Sequence, residues 1–308
     1  MNQVVFNFHD VILLMTAMMC MLFSALLVFT NPPKNISNYF LAAFLFTHAF
    51  IPLHELTMWG AEFKNTVREN FPQIYFIAGF AYYLDAALLY FYVKSLIFQD
   101  FHIRRKDYYH LAPFILFTLF MILTFYRYPF AQRLEWINNQ IFVYSSHYIT
   151  VDLLCKILRV IYCVACFRLI LKYKDLLKAT HSNIEKVDVL WLKILVVGFL
   201  TVTIMEVFLG VAKFVGMVIG FDFHHLNLSF FEFVGLSGYY VTFVLVCTLV
   251  FTSMRYFASF EAIRQKKEPE QTKKPVQEKL LNPEYAEKID SLMRSDKPYL
   301  MADITLDI

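Results

Sequence analysis

Seven long apolar stretches, separated by polar segments, limit how this chain can fold more than any other feature. A helix needs about 20 apolar residues to cross the hydrocarbon core of a bilayer, and each stretch approaches or exceeds that length. We therefore expect an all-α polytopic membrane protein, folded as a bundle of seven transmembrane helices. The stretches cover about residues 9–30, 36–58, 73–98, 110–127, 147–171, 190–218 and 229–256.

The density of charged residues divides the chain near residue 260. Overall, 58% of the residues are hydrophobic and 17% are charged, whereas a soluble domain usually has about 25% charged residues. Residues 261–308 hold nine Lys or Arg and ten Asp or Glu, a much higher density than in the preceding part. We assign residues 1–260 to a membrane domain and the rest to a polar tail.

Positive charge predicts the orientation of this domain. No Lys or Arg precedes the first stretch, which is also longer than the apolar core of an ordinary signal peptide. An N-terminus outside would give ten Lys or Arg to the inner segments and four to the outer loops, as the positive-inside rule requires. The inner set is Lys34, Arg104, Arg105, Lys106, Arg168, Lys172, Lys174, Lys178, Lys186 and Arg255, and the outer set is Lys64, Arg68, Arg127 and Arg133. The tail is therefore expected to be cytoplasmic.

The tail itself has two parts. Residues 261–281 are charged, interrupted by proline and without a core-forming pattern, which predicts a cytoplasmic linker. Asn282 can then cap a short helix that has Pro283 at its first position. This helix has an apolar face and nothing in the chain to bury it on, so we expect a partner domain; the alternative is a frayed tail. The apolar residues, at helical spacing, are Tyr285, Ile289, Leu292 and Met293.

The last residues resemble the segment that precedes the helix-turn-helix domain of AraC-type transcription regulators. The matching residues are Lys297, Pro298, Tyr299, Leu300, Asp303, Thr305 and Leu306. The overall plan also resembles membrane-anchored members of that family, in which about seven helices precede a linker and a paired helix-turn-helix domain. The resemblance implies a one-component regulator of the bacterial inner membrane. It also implies that residues 282–308 begin a truncated helix-turn-helix region, with DNA bound only through a domain absent from this chain.

Ionisable residues inside the apolar stretches are the candidate functional residues. A charge at bilayer depth costs at least about 2.5–3.5 kcal/mol, so each one needs a partner or a role. In the predicted topology most of them fall in the outer half of the bundle, where they would line a pocket for a small polar ligand from outside. The candidate residues are Asp85, Asp152, Lys156, Glu206, Lys213 and Glu232.

The same charges have a second interpretation, in which salt bridges between helices only fix the packing. Asp152 and Lys156 are four residues apart and can pair within one helix, and Arg159 lies on the same face. His48 and His54 are interpreted as packing or interface residues rather than ligands. Pro52, inside the second stretch, is expected to kink that helix or end it early.

The sequence gives no sign of an enzyme, because it lacks nucleotide-binding glycine loops and the common catalytic motifs. No cofactor or metal site is predicted, and Cys163 and Cys166 are interpreted as packing residues. The expected partners are the lipid bilayer, a small polar ligand and a second copy in a homodimer. Two other functions stay open: a transporter or channel component, and the sensor of a histidine kinase or cyclase.

Overall fold

The structure is a computed structural model that describes residues 7–30, 36–98, 101–180, 190–220, 233–252 and 291. The side chains of 30, 174–180 and 190–191 are excluded from that description. This part of the chain is helical and contains no strand. The α-helices are α1 (Phe8–Thr30), α2 (Ile36–Trp59), α3 (Phe63–Asn70), α4 (Asp85–Ile97), α5 (Ala112–Met121), α6 (Phe130–Asn138), α7 (Ser146–Thr180), α8 (Leu190–Ile219) and α9 (Phe233–Thr252).

Six helical segments in the described part are long and apolar enough to cross a membrane. Four of them correspond to α1, α2, α8 and α9, and two are composite. The third apolar segment, Pro72–Ile97, joins two 3₁₀ turns (Pro72–Ile74 and Ile77–Tyr83) to α4. The fourth apolar segment, Arg105–Tyr126, runs from a 3₁₀ turn through α5 into a short π-helix, Ile122–Tyr126. The predicted all-helical fold with several helices of membrane-spanning length and composition is therefore confirmed, with six such segments in the described residues.

Helix α7, which contains the predicted fifth stretch, is not among the six. It is the longest described helix, at 35 residues, but Asp152, Lys156 and Arg159 lie within its first half. These charges lower its average hydropathy, although the helix is long enough to cross a bilayer.

Pro52 does not end α2, contrary to one of the two outcomes expected for it. The helix continues from Ile36 to Trp59 with Pro52 in its interior, and Pro52 is buried. A membrane helix tolerates an internal proline where neighbouring helices pack around the freed backbone groups. The continuation matters for the site because it keeps Glu55 and Trp59 on a single helix.

The helices pack in a connected series within the unit Met1–Thr252. Helix α1 packs on α2, α2 on α4, α4 on α7 and α7 on α8. The Ser24 hydroxyl donates to the Ala42 carbonyl oxygen at 2.7 Å and ties α1 to α2. The unit Ser253–Ile308 is described only at Ser291, which is helical and exposed. The predicted linker and the rest of the segment that resembles AraC-type regulators lie outside the described residues.

An aromatic cluster closes one end of the bundle around Phe76. The Phe76 ring meets the ring of Phe125 edge to face at a centroid distance of 4.8 Å and that of Phe142 at 5.4 Å. Tyr148, near the start of α7, also packs against it at 5.9 Å. The cluster therefore joins the third and fourth apolar segments to the first turn of α7. Its buried members are Met58, Val67, Tyr75, Phe76, Phe117, Met121, Phe125, Ile137 and Phe142.

Candidate functional site

A cavity of about 190 Å³ lies among the helices, and it is lined by both charged and apolar side chains. Small molecules bind preferentially in concave, mostly apolar sites that contain a few placed polar groups. The charged side chains at its wall come from α2, α7 and α8. They are Glu55, Asp152, Lys156, Arg159, Glu206 and Lys213.

The lining residues alternate between opposite halves of successive helices. Leu13 and Thr16 lie in the N-terminal half of α1, whereas the α2 residues lie in its C-terminal half. The same alternation continues through the third and fourth apolar segments, α7 and α9, whereas α8 contributes residues on both sides of its midpoint, from Phe199 to Lys213. Helices adjacent in this series therefore run in opposite directions, and the cavity lies towards one end of the bundle, the end that holds the start of α1.

Arg159 is the central cation of the site and is only 3% exposed. Its Nη2 donates to Asp85 Oδ2 at 3.0 Å, and its Nη1 donates to Glu206 Oε2. The guanidinium also lies over the Tyr82 ring, 5.0 Å from the ring centre. His48 Nδ1 approaches the same Asp85 oxygen at 3.4 Å. One side chain of α7 is thus tied to α4 and α8 by charged hydrogen bonds, which are among the stronger kinds.

A second ion pair lies one turn earlier on α7. Lys156 Nζ donates to Asp152 Oδ2 at 2.6 Å, which is the pairing within one helix that the sequence suggested. Gly210 of α8 packs against this turn, because a Cβ there would lie 3.2 Å from Leu153 Cδ1 and 3.3 Å from Lys156 Cδ. The small residue lets α7 and α8 approach closely beside the cavity.

Glu55 is held by two tyrosine hydroxyl groups from different parts of the chain. Tyr82 donates to its Oε1 at 2.6 Å, and Tyr239 donates to its Oε2 at 2.7 Å. These bonds connect α2 to the third apolar segment and to α9. No Lys, Arg or His nitrogen comes within 4.0 Å of this carboxylate in the described part of the chain.

Lys213 differs from Lys156 and Arg159, the other two cavity cations. No carboxylate oxygen of the described residues lies within 4.0 Å of its Nζ. Its Nζ lies 5.5 Å from the centre of the Trp59 ring, an arrangement that stabilises a cation. The side chain lines the cavity and is exposed. This ammonium is therefore accessible to an anion.

His48 and His54, interpreted from the sequence as packing or interface residues, both line the cavity. Both are buried, and neither His48 Nε2 nor His54 Nδ1 has a hydrogen-bond partner among the described residues. Gly79 lies against His54, because a Cβ at that position would come within 3.0 Å of its Cε1. Spacing along α2 does not reveal this, because the cavity is wide enough to reach two faces of the helix.

Four of the six predicted ligand-binding residues lie at the cavity wall: Asp152, Lys156, Glu206 and Lys213. The fifth, Asp85, lies behind Arg159 and contacts it directly. Glu232, the sixth, lies outside the described residues.

The predicted set omits Arg159 and Glu55. Both are ionisable residues within apolar stretches, which is the criterion by which the predicted residues were chosen. It also omits Tyr82 and Tyr239, which hold Glu55. No sequence pattern marks these two among the 19 tyrosines of the chain.

Among the described residues, no group of three or more His, Cys, Asp or Glu side chains is arranged so that it could bind a metal ion. Cys163 and Cys166 are both buried and free. What the site offers instead is a set of fixed charges, two histidine rings and an apolar wall, which suits reversible binding of a small polar molecule.

No family model, curated protein or solved structure matches this chain. The resemblance to AraC-type regulators therefore rests on the residues between Lys297 and Leu306, outside the described residues.

Proposed function

We propose that this protein is the sensory module of an AraC-like one-component regulator in the bacterial inner membrane. Seven helices cross the bilayer, with the N-terminus outside and the tail in the cytoplasm. A small polar ligand enters the cavity from the outer side. Its binding is relayed to a cytoplasmic DNA-binding domain of the kind that follows the Lys297–Leu306 motif in such regulators.

The alternating cavity wall supports seven crossings. Successive helices contribute opposite halves to one cavity, as expected when each helix crosses in the opposite direction to the one before it. Helix α7 takes part in this alternation, and its 35 residues span about 50 Å. Its charges do not prevent a crossing, because Asp85 and Glu206 pair with Arg159 and Asp152 pairs with Lys156.

Ligand binding is supported most strongly by the accessible charges inside the cavity. A network that served packing alone would pair its ions with one another. Here Lys213 and Glu55 both line the cavity, and neither has an ionic partner among the residues described. Both can therefore bind a ligand without breaking an existing ion pair.

The contacts around the cavity provide a route to the tail. Glu55 is bonded to Tyr239 of α9, the last described membrane helix, and Arg159 links α4, α7 and α8. A ligand that favours one arrangement of these contacts would shift α9 relative to its neighbours. Coupling of this kind requires a difference in ligand affinity between two arrangements, which is what we propose.

Reporter fusions test the crossing of α7. We expect alkaline phosphatase to be active when fused after Asn138, at the end of α6, and inactive after Lys178, near the end of α7. A fluorescent protein that folds only in the cytoplasm should give the opposite pattern, and a fusion after Asn70, in a predicted outer loop ahead of α7, serves as an outer-side control. Equal activity at Asn138 and Lys178 would mean that α7 does not cross.

Transcript profiling tests the sensory role. Deletion of the gene in its own host should change a defined set of transcripts, and complementation with the wild-type gene should restore them. The Lys213→Met variant should restore them poorly, whereas Lys193→Met should restore them fully, because Lys193 lies on the same helix but contacts the Phe167 ring outside the cavity.

Both variants are first checked for equal abundance in the membrane. Unchanged transcripts after deletion, together with solute flux through reconstituted vesicles that Lys213→Met abolishes, would favour a transporter instead.

A further inference from the structure

We propose that the ligand of this cavity is a small zwitterion of the α-amino acid class, with its carboxylate on Lys213 and its ammonium group on Glu55. The inference rests on the proposed function and specifies the chemistry of its ligand. Two accessible charges of opposite sign line one cavity, and an apolar wall accompanies them.

The cationic end of the site suits a carboxylate. Lys213 lines the cavity and is exposed, and its ammonium group lies over the electron-rich face of Trp59, 5.5 Å from the ring centre. The aromatic face stabilises the charge only partly. A carboxylate would complete this environment, and the nearest other cavity cations, Lys156 and Arg159, already have carboxylate partners.

The acidic end suits an ammonium group. Each oxygen of Glu55 accepts one tyrosine hydroxyl, and a carboxylate has about four acceptor positions, so two remain for a ligand. The tyrosines fix the orientation of the carboxylate without neutralising its charge. Asp85, Asp152 and Glu206 compete poorly for the same group because each is paired with a cation.

The spacing of the two ends favours a short ligand. Glu55 and Trp59 are four residues apart on α2, so their Cα atoms are separated by about 6 Å along the helix axis. The contact of Lys213 with Trp59 therefore places the cationic end of the site beside the turn of α2 that follows Glu55. An α-amino acid carries its ammonium and carboxylate groups on the same carbon atom and suits charged ends that face one cavity from neighbouring turns of a helix.

The rest of the cavity suits an apolar side group. Met58, Phe117, Val143, Leu209 and Val234 all line it. On α9 the wall also contains Gly238, where an added Cβ would meet no atom within 4 Å. This space gives the side group room beside the two charged ends.

Binding to the purified full chain in lipid nanodiscs tests the inference, with glycine, leucine and phenylalanine as zwitterionic probes. Leucine is compared with 4-methylpentanoate, which lacks the amine, and with 3-methylbutylamine, which lacks the carboxylate. We expect leucine or phenylalanine to bind and to raise the melting temperature. The two monopolar analogues of leucine should bind about tenfold more weakly or worse.

Two variants test which residue binds each charged end of the ligand. Lys213→Met should weaken binding of leucine and of 4-methylpentanoate but leave 3-methylbutylamine unchanged. Glu55→Gln keeps an acceptor oxygen for a tyrosine. It should weaken binding of leucine and of 3-methylbutylamine but leave 4-methylpentanoate unchanged. Lys193→Met is the matched control and should bind all three compounds as the wild type does.

Three results would overturn the inference: no binding of any zwitterion at millimolar concentration, equal affinity for leucine and a monopolar analogue, or loss of all binding in both variants alike. If such a result accompanied the expected topology and transcript changes, only the ligand assignment would fail. Failure of the transcript experiment alone would instead count against the proposed function.

Discussion

Replacing Arg159 with methionine is expected to destabilise the folded bundle more than any other single change at the cavity. Arg159 is almost fully buried and donates to two carboxylates, Asp85 and Glu206. Methionine keeps much of the apolar stem but leaves both carboxylates without the guanidinium that pairs with them. Removing one partner of a buried ion pair typically costs about 3–5 kcal/mol, because a buried charge is left uncompensated. Thermal unfolding in nanodiscs should show a large drop in melting temperature.

A neutral triple variant separates charge from packing in this experiment. Combining Arg159→Met with Asp85→Asn and Glu206→Gln removes all three charges, and we expect it to recover much of the lost stability. Arg159→Lys should fall between the wild type and the methionine variant, because one ammonium group cannot repeat the two-sided contact. If Arg159→Met melted at the wild-type temperature, Arg159 would not be the cation that holds α4, α7 and α8 together.

The approximate positions of the apolar segments could be predicted because hydropathy is summed over some 20 residues, which makes it insensitive to local detail. The predicted stretch 73–98 agrees to within one residue at each end with the segment Pro72–Ile97, although the helix type changes within it. Within Ile77–Tyr83 the 3₁₀ geometry accompanies the close contact of Gly79 with His54. A contact between residues 25 positions apart leaves no local signal in the sequence.

The charged residues of the site could be chosen by the cost of placing them in lipid, but their partners could not. Helical spacing placed Asp152 and Lys156 together, and the structure contains that pair. The contacts of Arg159 with Asp85 and Glu206 join three helices, so they depend on the rotation and register of each one. Tertiary packing sets those quantities, and one sequence does not encode them in any local pattern.

The proposed crossing of α7 would explain why average hydropathy leaves this helix out, because its charges face inward. Its ionisable side chains are paired inside the bundle, whereas Leu154, Ile157 and Ile161 are exposed on its surface. A window average counts every charge as if lipid surrounded it. The topology experiment on both sides of α7 is therefore the decisive check on the count of seven.

The aromatic cluster connects the stability of the bundle to the position of the site. Phe76 is 1% exposed and contacts rings from the third and fourth apolar segments and from the start of α7. Asp152 and Lys156 lie about one and two turns beyond Tyr148 on α7. Loosening the cluster should therefore release the first turns of the helix that supplies these charges.

We expect Phe76→Ala to lower the free energy of unfolding by about 3–5 kcal/mol, since deleting a buried phenylalanine ring leaves a cavity that its neighbours fill only in part. Phe46→Ala is the matched control, because Phe46 is 53% exposed on α2 and its removal opens no cavity in the core. Phe76→Leu, which refills part of the space, should lie between the two. Thermal unfolding in nanodiscs compares all three with the wild type. Equal melting of Phe76→Ala and Phe46→Ala would show that the cluster does not hold the end of the bundle, and α7 would then need another support.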